Sequence, residues 1–401
     1  MTSYSDYNLD AERRPVIIAA KRTPIGRVNG MFKDIAAEEL LSSLLIELTQ
    51  ASSFKTSDID DVIIGNAAGG GGNVARLATL LAGVDIHVPG LTIDRQCGGG
   101  LEAINLACRM IMSGAGQLYL AGGVESVSTA PMRARKSSSS LDDLEFYERA
   151  RFSPDSIGDP DMGVAAENVA KKHKISRKRQ DEFALQSHHR AIDAQNLGRF
   201  DDEIVPIKVG DISHHKDECP RADTSLDKLA ALPAKFSDGG SVTAGNSCPL
   251  NDGAALVVVT SLAKAQQLGA RRAIEFIDGC ARGVDPNYLG VGPIASTKHL
   301  LARQPEVSSN DIQYIEFNEA FASQVLASID GLDIACDRIN KDGGALALGH
   351  PFGASGAILV VRLFSQMLGD KNFQNDAVSL ATLGTAGGMG VSTFFRSKKV
   401  S

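Results

Sequence analysis

Tryptophan is absent from this sequence, and the aromatic residues together make up only 5% of it. Lys and Arg (41) are outnumbered by Asp and Glu (48), which gives a formal net charge of −7, and no long basic run occurs. Proteins that bind nucleic acid present clustered cations to the phosphates and aromatic rings to the bases. The sequence has neither feature, so nucleic acid is not expected as a partner.

Long apolar runs are also missing. No stretch reaches the roughly 18 apolar residues that a membrane-spanning helix needs. Residues 1–14 are polar and lack the apolar core of a secretion signal, so they are predicted to form a polar tail before the first domain. These features predict a cytoplasmic protein with no membrane partner.

Closely spaced cysteines are absent as well. Zinc sites and the disulfide frameworks of small secreted proteins depend on such spacings, for example CxxC. We therefore expect no metal site, no disulfide bonds and a reducing compartment. The six cysteines are scattered, at Cys97, Cys108, Cys219, Cys248, Cys280 and Cys336.

The chain, at 401 residues, exceeds the ~250–300 residues at which one hydrophobic core stops growing, so more than one domain is expected. Short apolar runs typical of strands alternate with stretches of helical apolar spacing, which predicts parallel pairing and a layered α/β fold. Residues 131–245 interrupt this pattern and are predicted to be an insertion outside the sheet. The predicted strands are residues 15–20, 61–65, 91–94, 118–121, 254–259, 274–277, 312–317 and 378–381, and the predicted helices are residues 35–50, 101–111, 164–173 and 179–194.

One offset along the chain separates two pairs of similar positions. Asp58 and Asp311 lie in similar segments 253 residues apart, and Cys97 and His350 are also 253 residues apart. Cys97 and His350 each precede a glycine-containing turn that leads into a helical stretch. The shared offset indicates two copies of one α/β fold that pack on each other.

Cys97 ends a predicted strand and is followed by three glycines that open a helix. A thiol at this place lies in the positive field of the helix N-terminus, which lowers its pKa and favours the thiolate. The glycines let a substrate carbonyl approach backbone N–H groups. The segment alone leaves two interpretations open, a nucleophile or a buried cysteine in a tight turn.

His350 and Asn318 are the other candidates for chemistry. Pro351 fits the first position of a helix and places His350 near its N-terminus, as a base for a thiol or as a capping residue. Asn318 follows a predicted strand, where its amide orients a water or an oxyanion, or belongs only to a turn. The three candidates occupy equivalent or adjacent positions of the two fold copies, where strand ends meet and where α/β folds place their sites.

These residues and the motifs around them resemble the thiolases, the acetyl-CoA acyltransferases, over residues 16–395. The resemblance implies two βαβαβαββ halves, residues 15–270 and 271–401, in a five-layer α-β-α-β-α arrangement. It also implies a loop subdomain at about 131–245 that covers coenzyme A. The matching motifs are residues 20–26, 94–103, 122–126, 162–168, 180–184, 242–246, 251–253, 318–322, 343–356 and 387–390.

The resemblance implies that Cys97 is acylated from an acyl-CoA, that His350 activates it, and that Asn318 holds a water in an oxyanion hole. The implied reaction is the Claisen condensation or thiolysis of a short 3-ketoacyl-CoA, with coenzyme A thioesters as substrates and neither a cofactor nor a metal. Further substrate or coenzyme A contacts are implied at Arg221, Cys248, Met162, Leu289, Phe321 and Ala386.

Gly384 stands where thiolases carry a second cysteine, the base that deprotonates the α-carbon of the donor. Three alternatives stay open: His350 or a water takes that proton, the donor is a malonyl-type thioester that loses CO₂, or the protein binds acyl-CoA without turnover. The segment after Met132 is short for the loop with which tetrameric thiolases join their dimers. We therefore expect a homodimer.

Overall fold

The computed structural model describes residues 9–136, 144–369 and 373–401. Its strands are β1 Pro15–Arg22, β2 Gly26–Arg27, β3 Asp61–Gly65, β4 Gly90–Ile93, β5 Leu118–Ser126, β6 Arg133–Lys136, β7 Leu144–Tyr147, β8 Ile207–Val209, β9 Ile212–His214, β10 Asn251–Ser261, β11 Arg272–Gly283, β12 Ile312–Phe317, β13 Val378–Thr385 and β14 Met389–Lys399. Its helices are α1 Ala37–Gln50, α2 Val74–Leu81, α3 Gly99–Ser113, α4 Met162–His173, α5 Arg177–Asn196, α6 Leu226–Ala230, α7 Leu262–Gln267, α8 Gly292–Arg303, α9 Ala322–Leu332, α10 Ala345–Leu348 and α11 Phe352–Leu368. Short 3₁₀ helices lie at Thr56–Asp58, Pro286–Val291 and Cys336–Arg338.

The predicted strands and helices all coincide with elements of the structure, with ends shifted by a few residues. Helix α1 shows why the local pattern is sufficient. Its leucines at 40, 41, 44, 45 and 48 recur at helical spacing and are buried. At its N-terminus the Glu39 carboxylate accepts a hydrogen bond from the Ala36 N–H (2.8 Å), which satisfies a donor that the helix leaves free.

The main sheet has the strand order β12-β13-β14-β11-β1-β10-β5-β3-β4, with β2 paired to β10. Parallel pairing is confirmed for β3 with β4 and β5, and for β12 with β13. The expectation of parallel pairing is wrong for the middle of the sheet. There β1 pairs with β10 and β11, β10 pairs with β5, and β14 pairs with β11 and β13, all in antiparallel orientation. The reason is the connectivity of the chain. Along the chain, β10 is the next strand of the main-sheet order after β5, and β14 is the next after β13, and each pairs with its predecessor in the opposite direction.

Helices cover both faces of each half of the sheet and give the five-layer fold. Helices α3 and α11 pack on each other in the centre and contact strands of both halves. Helices α1 and α2 cover the outer face of the first half, and α8 and α9 cover the outer face of the second half. In the second half, a short helix, α10, stands where the first half has β4.

Glycines allow the two central helices to approach closely. A Cβ atom at Gly100 would lie 2.7 Å from the Gly353 carbonyl oxygen, and one at Gly356 would lie 2.5 Å from the Leu101 nitrogen. Both distances are shorter than real Cβ atoms tolerate. Because Cys97 precedes α3 and His350 precedes α11, this close approach brings both residues to one place.

The insertion predicted at residues 131–245 lies outside the main sheet and contains the two-stranded sheets β6-β7 and β8-β9. A buried ion pair ties it to the sheet core: Arg22, on β1, donates to Asp217 (2.7 Å) and to Glu203 (2.7 Å). All three side chains are inaccessible to solvent. The segment that follows Asp217 is therefore held at a defined place beside β1.

Candidate active site

Cys97 lies between β4 and α3 and faces a cavity of about 970 Å³. The Ala386 backbone N–H hydrogen-bonds to its sulfur and favours the thiolate, but burial is the larger effect and raises the pKa of the Cys97 thiol to about 12. The expected lowering by the helix N-terminus is therefore wrong for the free protein. Cys97 is a protonated thiol that needs a base in order to react.

His350 lines the same cavity and is suited to be that base. It is 2% exposed, and burial lowers its pKa to about 4, so the imidazole is neutral near pH 7. The Ser355 hydroxyl lies 2.5 Å from Nδ1 and donates its only proton to the Pro351 carbonyl (3.1 Å). We therefore assign the ring proton to Nδ1, which leaves the lone pair of Nε2 free to accept a proton.

Asn318 follows β12 and meets His350 from the side. Its Nδ2 lies 3.5 Å from His350 Nε2, and its backbone N–H donates to Thr382 on β13 (3.1 Å). The next residue, Glu319, is buried and accepts hydrogen bonds from Ser187 (2.6 Å) and Asn340 (2.7 Å). These bonds hold the loop that positions the Asn318 amide.

Sequence reasoning missed two further positioning residues. Asn251, on β10, accepts the His350 backbone N–H (2.8 Å) and donates to Gly26 (2.9 Å). Ser355 orients the histidine ring and lies one turn into α11. Asn251 and Ser355 lie within two of the motifs that resemble the family, residues 251–253 and 343–356. A motif, however, does not show which side chains are in contact.

The remaining predicted contact residues all line the cavity with Cys97 and His350: Met162, Arg221, Cys248, Leu289, Phe321 and Ala386. His188 also lines the cavity and is buried. Its Nδ1 accepts the Arg221 backbone N–H (3.2 Å), which fits a neutral ring whose pKa burial lowers to about 4. His188 thus positions the segment that carries Arg221.

The cavity has a charged end and an apolar end. Strand β2 and the insertion supply charged residues of both signs: the cations are Arg27, Arg221, Lys228 and Lys235, and the acidic residues are Glu148, Asp161, Glu218 and Asp223. The elements α4, the 3₁₀ helix Pro286–Val291 and α9 pack on one another and supply mostly apolar residues. An elongated substrate with a charged, polar end and an apolar end fits this division.

Gly384, on β13, lies in the wall of the cavity and is paired with Gly390 of β14. Its φ lies outside the left-handed region, and a Cβ atom there would be 3.3 Å from the Gly290 carbonyl oxygen. The position thus accommodates a side chain with a shift of a few tenths of an ångström. Cys248 is the nearby alternative thiol, but burial and the neighbouring Cys97 raise its pKa.

Within the described residues, no group of three or more His, Cys, Asp or Glu side chains is arranged to hold a metal ion. No helix in the same part of the chain is long and apolar enough to cross a membrane.

Comparison with known proteins gives the family. Residues 15–263 match the thiolase N-terminal domain, and residues 270–397 match the thiolase C-terminal domain. The chain belongs to the thiolase family and is an acyltransferase of the thiolase type.

Among individual proteins, the chain is 46% identical to a putative acetyl-CoA C-acetyltransferase VraB of Staphylococcus epidermidis RP62A over 385 residues, which covers 96% of this chain and 98% of that one. It is 43% identical over 382 residues to the protein of the same name from Staphylococcus aureus MW2, with 95% and 98% covered. The crystal structure of the Bacillus anthracis acetyl-CoA acetyltransferase superposes with a TM-score of 0.89 at 35% identity and covers 96% of this chain and 99% of that one.

Proposed function

We propose that this thiolase-type acyltransferase makes or cleaves short 3-ketoacyl-CoA through an acyl group carried on Cys97. The observation that carries the proposal is that a protonated thiol, Cys97, and a neutral imidazole, His350, line one cavity, and that the Asn318 amide lies 3.5 Å from His350 Nε2. The names of the similar proteins, acetyl-CoA C-acetyltransferases, support the acetyl group as the acyl unit.

The first half-reaction is acyl transfer to Cys97. His350 Nε2 takes the thiol proton, and the sulfur attacks the thioester carbonyl to form a tetrahedral intermediate. The C–S bond to coenzyme A then breaks, and the departing thiolate takes the proton back from His350. Every group that this half-reaction needs is present in the chain.

The second half-reaction forms the carbon–carbon bond, and Gly384 offers no group to deprotonate the donor. A positioned general base contributes ~10²–10⁴-fold, so we propose that condensation runs slower by about this factor than it would with a cysteine at this position. A malonyl-type donor avoids the proton transfer because loss of CO₂ supplies the carbanion. Turnover with malonyl-CoA and none with acetyl-CoA would select that alternative, and acyl binding without any turnover would select the non-catalytic one.

We also propose that coenzyme A lies under the insertion, about residues 131–245, with Arg221 at its phosphorylated adenosine. The charged end of the cavity supports this placement. The two halves are proposed to be residues 15–270 and 271–401. Most of the predicted tail, residues 1–8 of residues 1–14, lies outside the part of the chain that the structure describes. We propose a cytoplasmic location, which six free cysteines support, and coenzyme A thioesters as substrates without a cofactor.

The test is to incubate the protein separately with acetyl-CoA and with acetoacetyl-CoA. Intact-protein mass spectrometry follows acylation of Cys97, and absorbance follows 3-ketoacyl-CoA. Cys97→Ala should abolish the acyl adduct. An adduct that persists on this variant, or that maps to Cys248 in the native protein, would refute the assignment of the nucleophile.

A further inference from the structure

One side chain in the wall of the active-site cavity has no partner for either of its polar atoms. Gln324, in the first turn of α9, is 2% exposed and lines the cavity. Neither its Oε1 nor its Nε2 makes a hydrogen bond. Buried polar atoms are nearly always paired in folded proteins, and an unpaired amide in a ligand cavity indicates that the ligand supplies the partner.

Gln324 is distinctive among the buried polar residues that the structure describes. The other residues with an unpaired buried polar atom are Glu102, Asn105, Tyr119, Ser153, Gln180, Gln304 and Arg362, and none of them lines this cavity. Gln324 is also the one buried side-chain amide whose donor and acceptor are both unpaired within that described part of the chain. Packing within the protein therefore leaves both polar atoms of the Gln324 amide without a hydrogen-bond partner.

The surroundings of Gln324 place it at the apolar end of the cavity. A Cβ atom at Gly290 would lie 2.4 Å from Gln324 Cγ, so the glutamine packs directly on the 3₁₀ helix Pro286–Val291. The Gly290 carbonyl already accepts the Ser328 hydroxyl (3.4 Å), and it also lies 3.3 Å from the Cβ position of Gly384. Gln324 therefore lies beside the Gly384 wall of the cavity.

We infer that the acyl group of the preferred substrate carries a neutral polar group, a hydroxyl or an amide, that pairs with Gln324. This inference rests on the proposed function, because it takes Cys97 as the residue that is acylated. Gln324 presents one donor and one acceptor, and a hydroxyl or an amide supplies one of each in return. A neutral partner fits better than a carboxylate, because Gln324 itself carries no charge.

Such a contact should discriminate strongly in favour of acyl groups that carry the polar group and against those that lack it. A site that is built to hydrogen-bond a substrate group rejects the analogue without it by up to ~10⁴–10⁵, because the buried partner is then left unpaired. For a single neutral contact we expect at least about tenfold.

The experiment compares acylation of Cys97 by butanoyl-, hexanoyl- and octanoyl-CoA with acylation by the same thioesters bearing a hydroxyl on the terminal carbon. Intact-protein mass spectrometry gives the rate constant for each, and the measurement does not involve the carbon–carbon step. We expect the hydroxylated thioester to react at least about tenfold faster at one of these lengths. Gln324→Met, which keeps the size of the side chain, should remove this preference, so that the plain and the hydroxylated thioesters react at similar rates.

Gln304→Met is the matched control, because Gln304 is also a buried glutamine with an unpaired oxygen but lies away from the cavity. It should keep the native preference. Equal rates for both series in the native protein, or a preference that survives in Gln324→Met, would overturn the inference while leaving the proposed acyl transfer intact. Failure of every thioester to acylate Cys97 would instead overturn both. The native comparison needs no variant, so it decides the question even where Gln324→Met does not fold.

Discussion

The chemistry of this site depends on which of two residues holds a proton. Burial raises the pKa of Cys97 to about 12 and lowers that of His350 to about 4. The resting pair is therefore neutral thiol and neutral imidazole, and it becomes an ion pair only as the sulfur attacks. A standing thiolate would be the better nucleophile, but a protonated thiol at rest is less exposed to oxidation.

The first prediction concerns pH. Acylation of Cys97 requires the neutral form of His350, so its rate should be constant from about pH 5.5 to about pH 9 and fall only at lower pH, as His350 becomes protonated. Acylation rate constants at saturating and at low acetyl-CoA, measured by mass spectrometry across this range, provide the check. An acid limb with a midpoint near 6.5 would show that His350 titrates as an ordinary histidine.

The second prediction concerns Gly384. Gly384→Cys should raise the rate of carbon–carbon bond formation or cleavage by ~10²–10⁴-fold and leave acylation of Cys97 nearly unchanged. The backbone allows the test, since φ is not left-handed and the nearest atom to the new Cβ is 3.3 Å away. Gly384→Ala is the control that adds the Cβ without the thiol.

Separate measurement of acylation and of acetoacetyl-CoA thiolysis distinguishes the outcomes. If the native protein already runs both steps at similar rates and Gly384→Cys adds nothing, another group acts as the base. His350 and an ordered water are then the candidates.

At the scale of elements, the pair of central helices decides whether the site exists. Cys97 and His350 each stand just before one of these helices, which begin at Gly99 and Phe352, again 253 residues apart. The helices meet through glycines, so the distance between the helices also sets the distance between the nucleophile and its base. The repeat that the sequence shows is thus the feature that builds the site.

The third prediction follows from that contact. Gly356→Ala places a Cβ 2.5 Å from the Leu101 backbone nitrogen, which forces α3 and α11 apart. We expect a loss of ~1–3 kcal/mol in the free energy of unfolding, typical of an overpacked core, together with slower acylation of Cys97.

Gly283→Ala is the matched control, because the Cβ there would have no neighbour closer than 3.9 Å. Denaturant unfolding and acylation rates should hardly change in it. If Gly356→Ala lost stability but acylated Cys97 at the native rate, the helix contact would be shown to support the fold without setting the geometry of the site.

At the scale of the whole molecule, the surface formed by α2 and β4 exposes several large apolar side chains to solvent. Exposed leucines lie on α2, and Leu91 is exposed on β4, the strand at one end of the main sheet. An unpaired sheet edge beside apolar side chains is a typical site of association. This surface supports the homodimer that we propose, with the same patch on both copies.

The fourth prediction is the mass in solution. Sedimentation at micromolar concentration should give two chains of 42.3 kDa, and Leu81→Lys on α2 should shift the protein towards the monomer. Leu197→Lys, at an exposed leucine next to α5, should leave the mass unchanged. A mass near four chains would refute the dimer, and an unaffected dimer in Leu81→Lys would place the interface elsewhere.

Much of this protein follows from its sequence alone. The apolar periodicity predicts eight strands of the main sheet and four helices, α1, α3, α4 and α5, because these patterns depend on residues close together in the chain. The order of motifs around Cys97, Asn318 and His350 identifies the family and hence the five-layer fold. The glycine-to-helix turns at Cys97 and His350 point to two copies of one fold before any coordinate is known.

Other properties exist only after folding, because they depend on residues far apart in the chain. Antiparallel pairing of β10 with β5 is decided by the path of the insertion between them. The pKa of Cys97 is set by burial, which outweighs the helix terminus that the sequence predicts. The proton on His350 is placed by Ser355, and the unpaired amide of Gln324 arises because α9 packs against Gly290. Contacts of this kind are formed by tertiary packing, and no local pattern encodes them.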